Sequence, residues 1–358
     1  MARPDHILIA GGGLIGLMTA WYARRAGYAV TLFEADRVAR GASWAGGGVL
    51  WPIYPWRYPA SVQTAAAAGA ALYPALCREL HAATGIECEL RRTGAVILDA
   101  EEQQRARDWA AEAGHAGSAW RAADIARHLP GSQHRQGFWL PDVAQVRNPR
   151  LGRALATAAA MAGVDIRDHC AVTRVQAGAD GFEGFETTHG CFRGDAGVVA
   201  TGAWAGGMPG THGYAEIRPV KGQMLLLRSR PGALPHILVH DGCYAIPRAD
   251  GRILIGSTVE ESGFDAHPTE AGRRILLAAA AALHAPLADL PIEAQWAGLR
   301  PAAPDGEPIV GPLPGCPGVF VNTGHFRNGV ACAPAAGQAL VQAIDEAAGA
   351  SRSTSIPR

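Results

Sequence analysis

Short apolar runs alternate along the chain with longer segments of helical composition. Residues 6–10 form an apolar run that predicts a buried strand, and residues 14–25 then predict a helix. A second apolar run at residues 29–33 completes a strand–helix–strand unit. The same pattern continues with helices expected at residues 65–80, 101–113, 151–162 and 331–347, and strands at residues 94–98, 164–166 and 196–204. This interleaving predicts an α/β layer.

A second kind of layer is expected in the later half of the chain. Residues 220–227 and 253–256 are apolar runs, and a turn at Asp250-Gly251 lies directly ahead of the second run. These runs predict strands of an antiparallel sheet. The fold class expected is therefore mixed α/β and α+β, with a Rossmann-like domain and an antiparallel-sheet domain that interleave in sequence.

Three glycines follow the first strand at the spacing GxGxxG. Gly11 permits a tight turn, Gly13 lets the backbone approach a pyrophosphate, and Gly16 permits close packing of helix against strand. Phosphate oxygens can then bind the amides at the helix N-terminus. Glu34 directly follows the second strand, about 20 residues after the glycines. In dinucleotide sites an acid at this position binds a ribose hydroxyl. The pattern predicts a dinucleotide site but does not separate NAD from FAD, because both carry an ADP half.

Composition narrows the class of partner. The length of 358 residues favours two domains, and the balance of 32 basic against 32 acidic residues favours a small-molecule substrate over nucleic acid. The apolar stretch at residues 6–23 contains clustered glycines, so we expect no transmembrane segment. The protein is expected to be cytoplasmic, because its scattered cysteines suit reduced thiols. Seven scattered cysteines without a CxxC pair predict reduced thiols and no metal site.

Motifs along nearly the whole chain resemble those of the FAD-dependent D-amino-acid oxidase superfamily. They comprise the glycine-rich start, residues 43–48, 55–58, 147–149 and 200–204, and the tail at residues 298–347. Within that superfamily, the glycine oxidases of thiazole biosynthesis are the most similar group, on the strength of residues 220–224, 244–248, 256–260 and 324–329.

The resemblance implies a discontinuous FAD-binding domain and a substrate domain with an antiparallel sheet. The FAD is expected to be non-covalent, because residues 41–44 contain no histidine and residues 298–301 no cysteine for attachment. The implied FAD-binding domain comprises residues 1–50, 145–212 and 298–358, and the substrate domain comprises residues 51–144 and 213–297.

The resemblance also implies which residues contact the cofactor. They are Gly11, Gly13, Leu14, Ile15, Gly16, Glu34, Ala35, Ser43, Trp44, Ala45, Gly47, Gly48, Val172, Thr201, Gly202, Trp204, Gly298, Arg300, His325, Phe326, Arg327, Asn328 and Gly329.

Three residues are candidates for binding the substrate. A bidentate arginine is the best holder of a carboxylate, and Arg300 matches the family's position, although a structural ion pair is the alternative. Tyr244 matches a tyrosine whose hydroxyl helps to hold the carboxylate, although a core aromatic is the alternative. Arg327 matches an arginine near flavin and substrate, although it could be a loop cation on a carbonyl. His325 is expected to be structural, so no acid or base catalyst is predicted.

The activity implied is oxidative deamination of glycine and other small amines that bear a carboxylate. Hydride transfer to flavin N5 gives an imine and then a keto acid, and oxygen reoxidises the flavin to give hydrogen peroxide. A role in thiamine thiazole biosynthesis and a homo-oligomer are further expectations. We also expect residues 51–56 to line or cover the site and to favour small or flat substrates.

Two alternatives stay open at this point. The first is a related flavin amine dehydrogenase or oxidase that acts on a D-amino acid, sarcosine or a modified glycine. The second is a flavin-binding module without turnover, or an NAD-binding protein.

Overall fold

The computed structural model describes residues 4–179, 181–211 and 216–353. Residues 1, 212, 213 and 358, which end four of the predicted domain ranges, lie outside it. The helices are α1 (Leu14–Arg25), α2 (Gly41–Ala45), α3 (Ala60–Thr84), α4 (Ala100–Glu112), α5 (Ala122–His128), α6 (Asn148–Met161), α7 (Glu270–Leu283) and α8 (Gly329–Ser353), with 3-10 turns at Pro55–Arg57, Gly202–Gly207 and Ala285–Leu287.

The strands belong to two large sheets and two small ones. In chain order they are β1 (His6–Ala10), β2 (Ala29–Phe33), β3 (Arg91–Arg92), β4 (Ala95–Ile97), β5 (Ser118–Trp120), β6 (Gly137–Leu140), β7 (Ala144–Gln145), β8 (Asp165–Arg167), β9 (Val172–Gly178), β10 (Gly181–Thr187), β11 (Gly190–Arg193), β12 (Ala196–Val199), β13 (Arg218–Leu227), β14 (Ile237–His240), β15 (Cys243–Pro247), β16 (Ile253–Gly256), β17 (Ile292–Ala302), β18 (Ile309–Pro312) and β19 (Val319–Thr323).

The first large sheet has the order β18-β19-β12-β1-β2-β8 and is parallel except at β18. Successive residues of β1 face opposite sides of it. Ile7 and Ile9 pack in one apolar cluster with α1, α6 and α8, whereas Leu8 and Ala10 pack in another with the small β9–β11 sheet. Both faces are covered, which explains why these strands are continuous apolar runs.

Two glycines fix the turn from β1 into α1. Gly11 has φ +106°, and a Cβ built there would fall 2.4 Å from the carbonyl oxygen of Ala200 at the end of β12. A Cβ on Gly16 would fall 1.9 Å from the carbonyl oxygen of Gly11. Backbone therefore packs directly on backbone here, and the helix N-terminus lies at the carboxyl edge of the sheet.

The second large sheet has the order β17-β13-β16-β15-β14-β4-β6-β5. Its neighbours pair antiparallel except β14 with β4. Helix α7 covers one face through Leu276, Ala280 and Leu283. The long pairing of β13 with β17 sets Val220 opposite Arg300 and Gly222 opposite Gly298.

The structure corrects several predicted bounds. The strand expected at residues 196–204 ends at Val199 and gives way to the 3-10 turn Gly202–Gly207. The helices expected at residues 65–80 and 331–347 extend to Ala60–Thr84 and Gly329–Ser353. The predicted domain boundary between residues 297 and 298 falls inside β17. The domain division remains our proposal, and the separate membership of the two large sheets supports it.

None of the helices in the described part of the chain combines the length and apolarity that a membrane crossing needs.

Candidate functional site

A cavity of about 580 Å³ lies where the carboxyl ends of the parallel strands meet the second sheet. It is lined by every residue predicted to bind cofactor or substrate except two. Gly16 lies beneath the turn, against Gly11. Trp44 lies against Trp296, with ring centroids 5.2 Å apart, so its indole packs on the second sheet.

One end of the cavity is built from the glycine turn and the end of β2. The carboxylate of Glu34 accepts from the amide of Gly12 over 2.7 Å at Oε2 and from the amide of Asp36 over 3.0 Å at Oε1. The hydroxyl of Ser43 accepts from the amide of Leu14 over 2.7 Å. These contacts hold an acid and a helix N-terminus at the wall, which suits the ribose and pyrophosphate of a dinucleotide.

Three buried polar atoms of lining residues have no hydrogen-bond partner in the described part of the chain, namely Trp51 Nε1, Thr201 Oγ1 and His325 Nδ1. Buried polar atoms are rarely left unpaired, because each costs about 1–3 kcal/mol. A ligand that carries hydrogen-bonding groups along its length would satisfy these atoms. Together with the open space beside Gly202, where a Cβ would meet nothing within 4 Å, this wall fits FAD.

His325 is held in the loop that leads into α8. Its Nε2 lies 2.8 Å from Asn322 Oδ1, and burial lowers the pKa of the imidazole to about 4. The ring is therefore neutral near pH 7, in line with a structural role. The next residue, Phe326, has φ 45°, and its amide donates to the carbonyl of Pro301 over 2.9 Å.

Arg300 projects from β17 at the other end of the cavity. Its Nη2 donates to Ser257 Oγ over 2.7 Å and its Nη1 to the carbonyl of Thr258 over 3.2 Å. Among the described residues no carboxylate forms an ion pair with it. The protein packed around the guanidinium lowers its pKa to about 10, so it stays charged near pH 7. An enclosed cation that no carboxylate contacts directly is a receptor for an anion.

Tyr244 and Arg327 complete this end. The Tyr244 side chain is 7 % exposed, and its hydroxyl makes a weak contact of 3.6 Å with Met224 Sδ, which leaves it available to a ligand. Arg327 Nη2 donates to the carbonyl of Gly242 over 3.1 Å. The sequence leaves two roles open for Arg327, one near flavin and substrate and one as a loop cation on a carbonyl. The structure shows the carbonyl contact, and Arg327 also lines the cavity.

The segment at residues 51–56, which is expected to line or cover the site, does so only in part. Trp51 and Ile53 line the cavity, whereas the indole nitrogen of Trp56 donates to the Glu102 carboxylate away from it.

Eighteen further residues of the described part of the chain line the cavity. All but Arg40 and Met208 lie next to predicted residues or within motifs already singled out, so proximity in sequence was the signal available for them. The full set is Phe33, Asp36, Arg40, Gly41, Ala42, Gly46, Val49, Ala171, Ala200, Ala203, Met208, Gly222, Met224, Leu299, Pro301, Asn322, Thr323 and Val330.

A family model described as FAD dependent oxidoreductase matches residues 6–343. The match spans nearly the whole chain. The protein belongs to the FAD dependent oxidoreductase family.

Individual members of the family are also similar. The chain is 40 % identical over 335 residues to a glycine oxidase of Pseudomonas aeruginosa, with 92 % of each chain covered. It is 33 % identical to a bifunctional protein ThiO/ThiG of Nostoc, with 95 % of this chain and 52 % of that protein covered. The crystal structure of glycine oxidase from Geobacillus kaustophilus superposes with a TM-score of 0.89 at 29 % identity, covering 97 % of this chain and 95 % of that one.

These findings confirm the predicted family, fold class and cofactor. The protein is an oxidoreductase that uses FAD, and the predicted enzyme class of FAD-dependent amine oxidase is confirmed. The roles of the individual lining residues stay predictions.

Proposed function

We propose that this FAD dependent oxidoreductase oxidises glycine and other small amines that carry a carboxylate. The observation that carries the proposal is the Arg300 guanidinium, which lines the cavity with no carboxylate partner among the described residues. A substrate carboxylate would supply the missing charge through a bidentate pair. Tyr244 lines the same cavity, and its hydroxyl would donate a further hydrogen bond.

The protein's contribution in this proposal is to bind and orient. Arg300 and Tyr244 hold the carboxylate, so that the carbon next to it is fixed. Non-covalently bound FAD would supply the acceptor for the hydride lost from that carbon. Burial lowers the pKa of His325 to about 4, so its ring is too weak a base to take a proton from the substrate ammonium, and no proton transfer is assigned to it. Arg327 would add positive charge on the cofactor side of the site.

The overall change would convert glycine, water and oxygen into glyoxylate, ammonia and hydrogen peroxide. The amine first loses two electrons and two protons to give an imine, which water then hydrolyses. A role in thiamine thiazole biosynthesis belongs to the same proposal, supported by the similarity to the ThiO/ThiG proteins. There the imine itself would be the useful product.

Turnover with a panel of amines tests the proposal. The purified holoenzyme is incubated in air with glycine, sarcosine and D-alanine, while peroxide and ammonia or methylamine are quantified. We expect glycine to give equal amounts of peroxide and ammonia. Turnover of D-alanine alone would show that the substrates are D-amino acids rather than glycine. Reduction of the flavin without formation of peroxide would indicate a dehydrogenase that passes electrons to another acceptor.

A further inference from the structure

The contacts that orient Arg300 come from the segment that follows β16. Ser257 Oγ and the carbonyl of Thr258 accept the two side-chain hydrogen bonds that the guanidinium makes in the described part of the chain. Ser257 and Thr258 are each only 5 % exposed. The direction in which Arg300 points therefore depends on where these two residues are held.

A fully buried glutamine on β13, Gln223, holds this segment at both ends. Its backbone amide donates to Thr258 Oγ1 over 2.8 Å, and its side-chain amide donates to the Glu260 carboxylate over 2.9 Å. The hydroxyl of Thr258 donates to the same carboxylate. Further along, the amide of Thr269 donates to the Gln223 side-chain oxygen over 2.8 Å. Residues 257–269 are thus fixed to β13 by one hub.

Lys221, two residues before Gln223 on β13, anchors the same carboxylate. Its backbone exchanges two hydrogen bonds with Glu260, of 2.9 and 3.0 Å, and its ammonium lies 3.6 Å from Glu260 Oε2 and 3.4 Å from Asp265 Oδ2. Lys221 is 2 % exposed. A buried ammonium is tolerated only when it is paired, so the pair confines Glu260 to one position. Connected polar networks of this kind give a unique geometry.

We propose that Ser257 and Glu260 are positioning residues for the arginine that binds the substrate carboxylate. Ser257 acts directly, by accepting from Nη2 of Arg300. Glu260 acts indirectly. It holds Thr258, whose carbonyl accepts a hydrogen bond from Nη1 of Arg300. The inference rests on the proposed function, because it presupposes that Arg300 binds the carboxylate. The inference assigns the motifs at residues 220–224 and 256–260 a shared role in positioning Arg300, although the proposed reaction does not use them directly.

Replacement of the serine is the first test. In Ser257→Ala, the KM for glycine is expected to rise about tenfold or more, since a hydrogen bond to a charged group contributes about 1.5–3 kcal/mol. The value of kcat should change less than about threefold, because the lost orientation affects ground state and transition state alike. The Kd of acetate, followed through the flavin spectrum, should rise with KM. Ser257→Thr retains the hydroxyl and should restore both values.

Replacement of the acid is the second test and has a matched control. Glu260→Gln keeps the side-chain shape but removes the charge that pairs with Lys221, so KM and the acetate Kd are expected to rise about threefold or more. Glu261→Gln alters the neighbouring exposed acid, which pairs with Arg218 at the surface, and should leave both unchanged. Flavin content and thermal midpoint are measured for each variant.

The outcomes separate this inference from the proposed function. If Arg300→Lys raises KM and the acetate Kd but Ser257→Ala leaves both at wild-type values, the positioning role is overturned and the carboxylate role stands. If Arg300→Lys itself leaves both unchanged, the carboxylate role falls, and the positioning role falls with it. Should Ser257→Ala fail to fold, equal KM values for Glu260→Gln and Glu261→Gln overturn the inference.

Discussion

The guanidinium of Arg300 lies directly over Gly222. A Cβ built on Gly222 would fall 1.9 Å from Nη2 and 2.2 Å from Cζ of that arginine. On the paired strand, a Cβ on Gly298 would fall 2.7 Å from Cβ of Ala45. The missing side chain at Gly222 thus leaves the space that the guanidinium occupies, whereas the one at Gly298 leaves the space in which α2 packs on β17.

Gly222→Ala is therefore expected to weaken substrate binding without unfolding the protein. The new methyl group displaces the flexible end of Arg300 rather than backbone, so the KM for glycine should rise about tenfold, which corresponds to roughly 1.4 kcal/mol. Steady-state oxygen consumption measures KM. Gly207→Ala, at an exposed position where a Cβ would meet nothing within 4 Å, is the control and should behave as wild type. An unchanged KM in Gly222→Ala would show that the arginine moves aside freely.

Glu34 is expected to govern affinity for the cofactor. Glu34→Gln removes a charged acceptor that bonds to Gly12 and Asp36 at the cavity wall, and charge-assisted hydrogen bonds are about twice as strong as neutral ones. We expect FAD to bind about tenfold more weakly, a loss of roughly 1.4 kcal/mol. Quenching of flavin fluorescence during titration of the apoprotein gives the Kd. Glu346→Gln, on the exposed part of α8, serves as control, and equal Kd values for the two variants would contradict the assignment.

Gly16 is expected to matter for stability rather than for ligand contact. Its added Cβ in Gly16→Ala would meet the Gly11 carbonyl oxygen at 1.9 Å, and neither backbone can move without shifting α1 from the sheet. The free energy of unfolding should fall by about 1–3 kcal/mol, the usual range for overpacking. Urea unfolding measures it. Gly27→Ala is unsuitable as a control because its φ is positive, so Gly207→Ala is used again.

Protonation of His325 should destabilise the fold in mild acid. Burial lowers its pKa to about 4, whereas the unfolded value is about 6.5. Because the unfolded chain binds the proton first, the stabilisation is complete above about pH 6.5 and is lost as the pH falls toward about 4. Between about pH 7 and about pH 5 the loss is about 2 kcal/mol.

Urea unfolding at these two pH values measures that loss. Acidification should lower the free energy of unfolding of His325→Gln by about 2 kcal/mol less than that of wild type. His81→Gln, which alters an exposed histidine on α3, should follow wild type. A pH dependence that is the same in all three proteins would place the titration elsewhere.

The sequence pattern by itself predicts the parts of the site that are built by local backbone, whereas Arg300, Tyr244 and Arg327 are expected at the site only from the resemblance to the superfamily. The turn at Gly11 and the acid at Glu34 follow from one strand–helix–strand unit, whose geometry any dinucleotide site requires. The hub at Gln223 could not be predicted, because its partners at Thr258 and Thr269 are brought to it by pairing of strands distant in sequence. The position of Trp44 could not be predicted for the same reason, since its packing on Trp296 depends on how the two sheets meet.

Anaerobic titration of the flavin with glycine tests the central claim most directly. Wild type and Arg300→Lys are compared, since lysine keeps the charge but lacks the planar fork that binds a carboxylate bidentately. We expect glycine to bleach the oxidised flavin band of wild type, and Arg300→Lys to require about 100-fold more glycine, a difference of roughly 2.8 kcal/mol. A wild-type flavin that stays oxidised in saturating glycine, or equal half-bleaching concentrations in the two proteins, would contradict it.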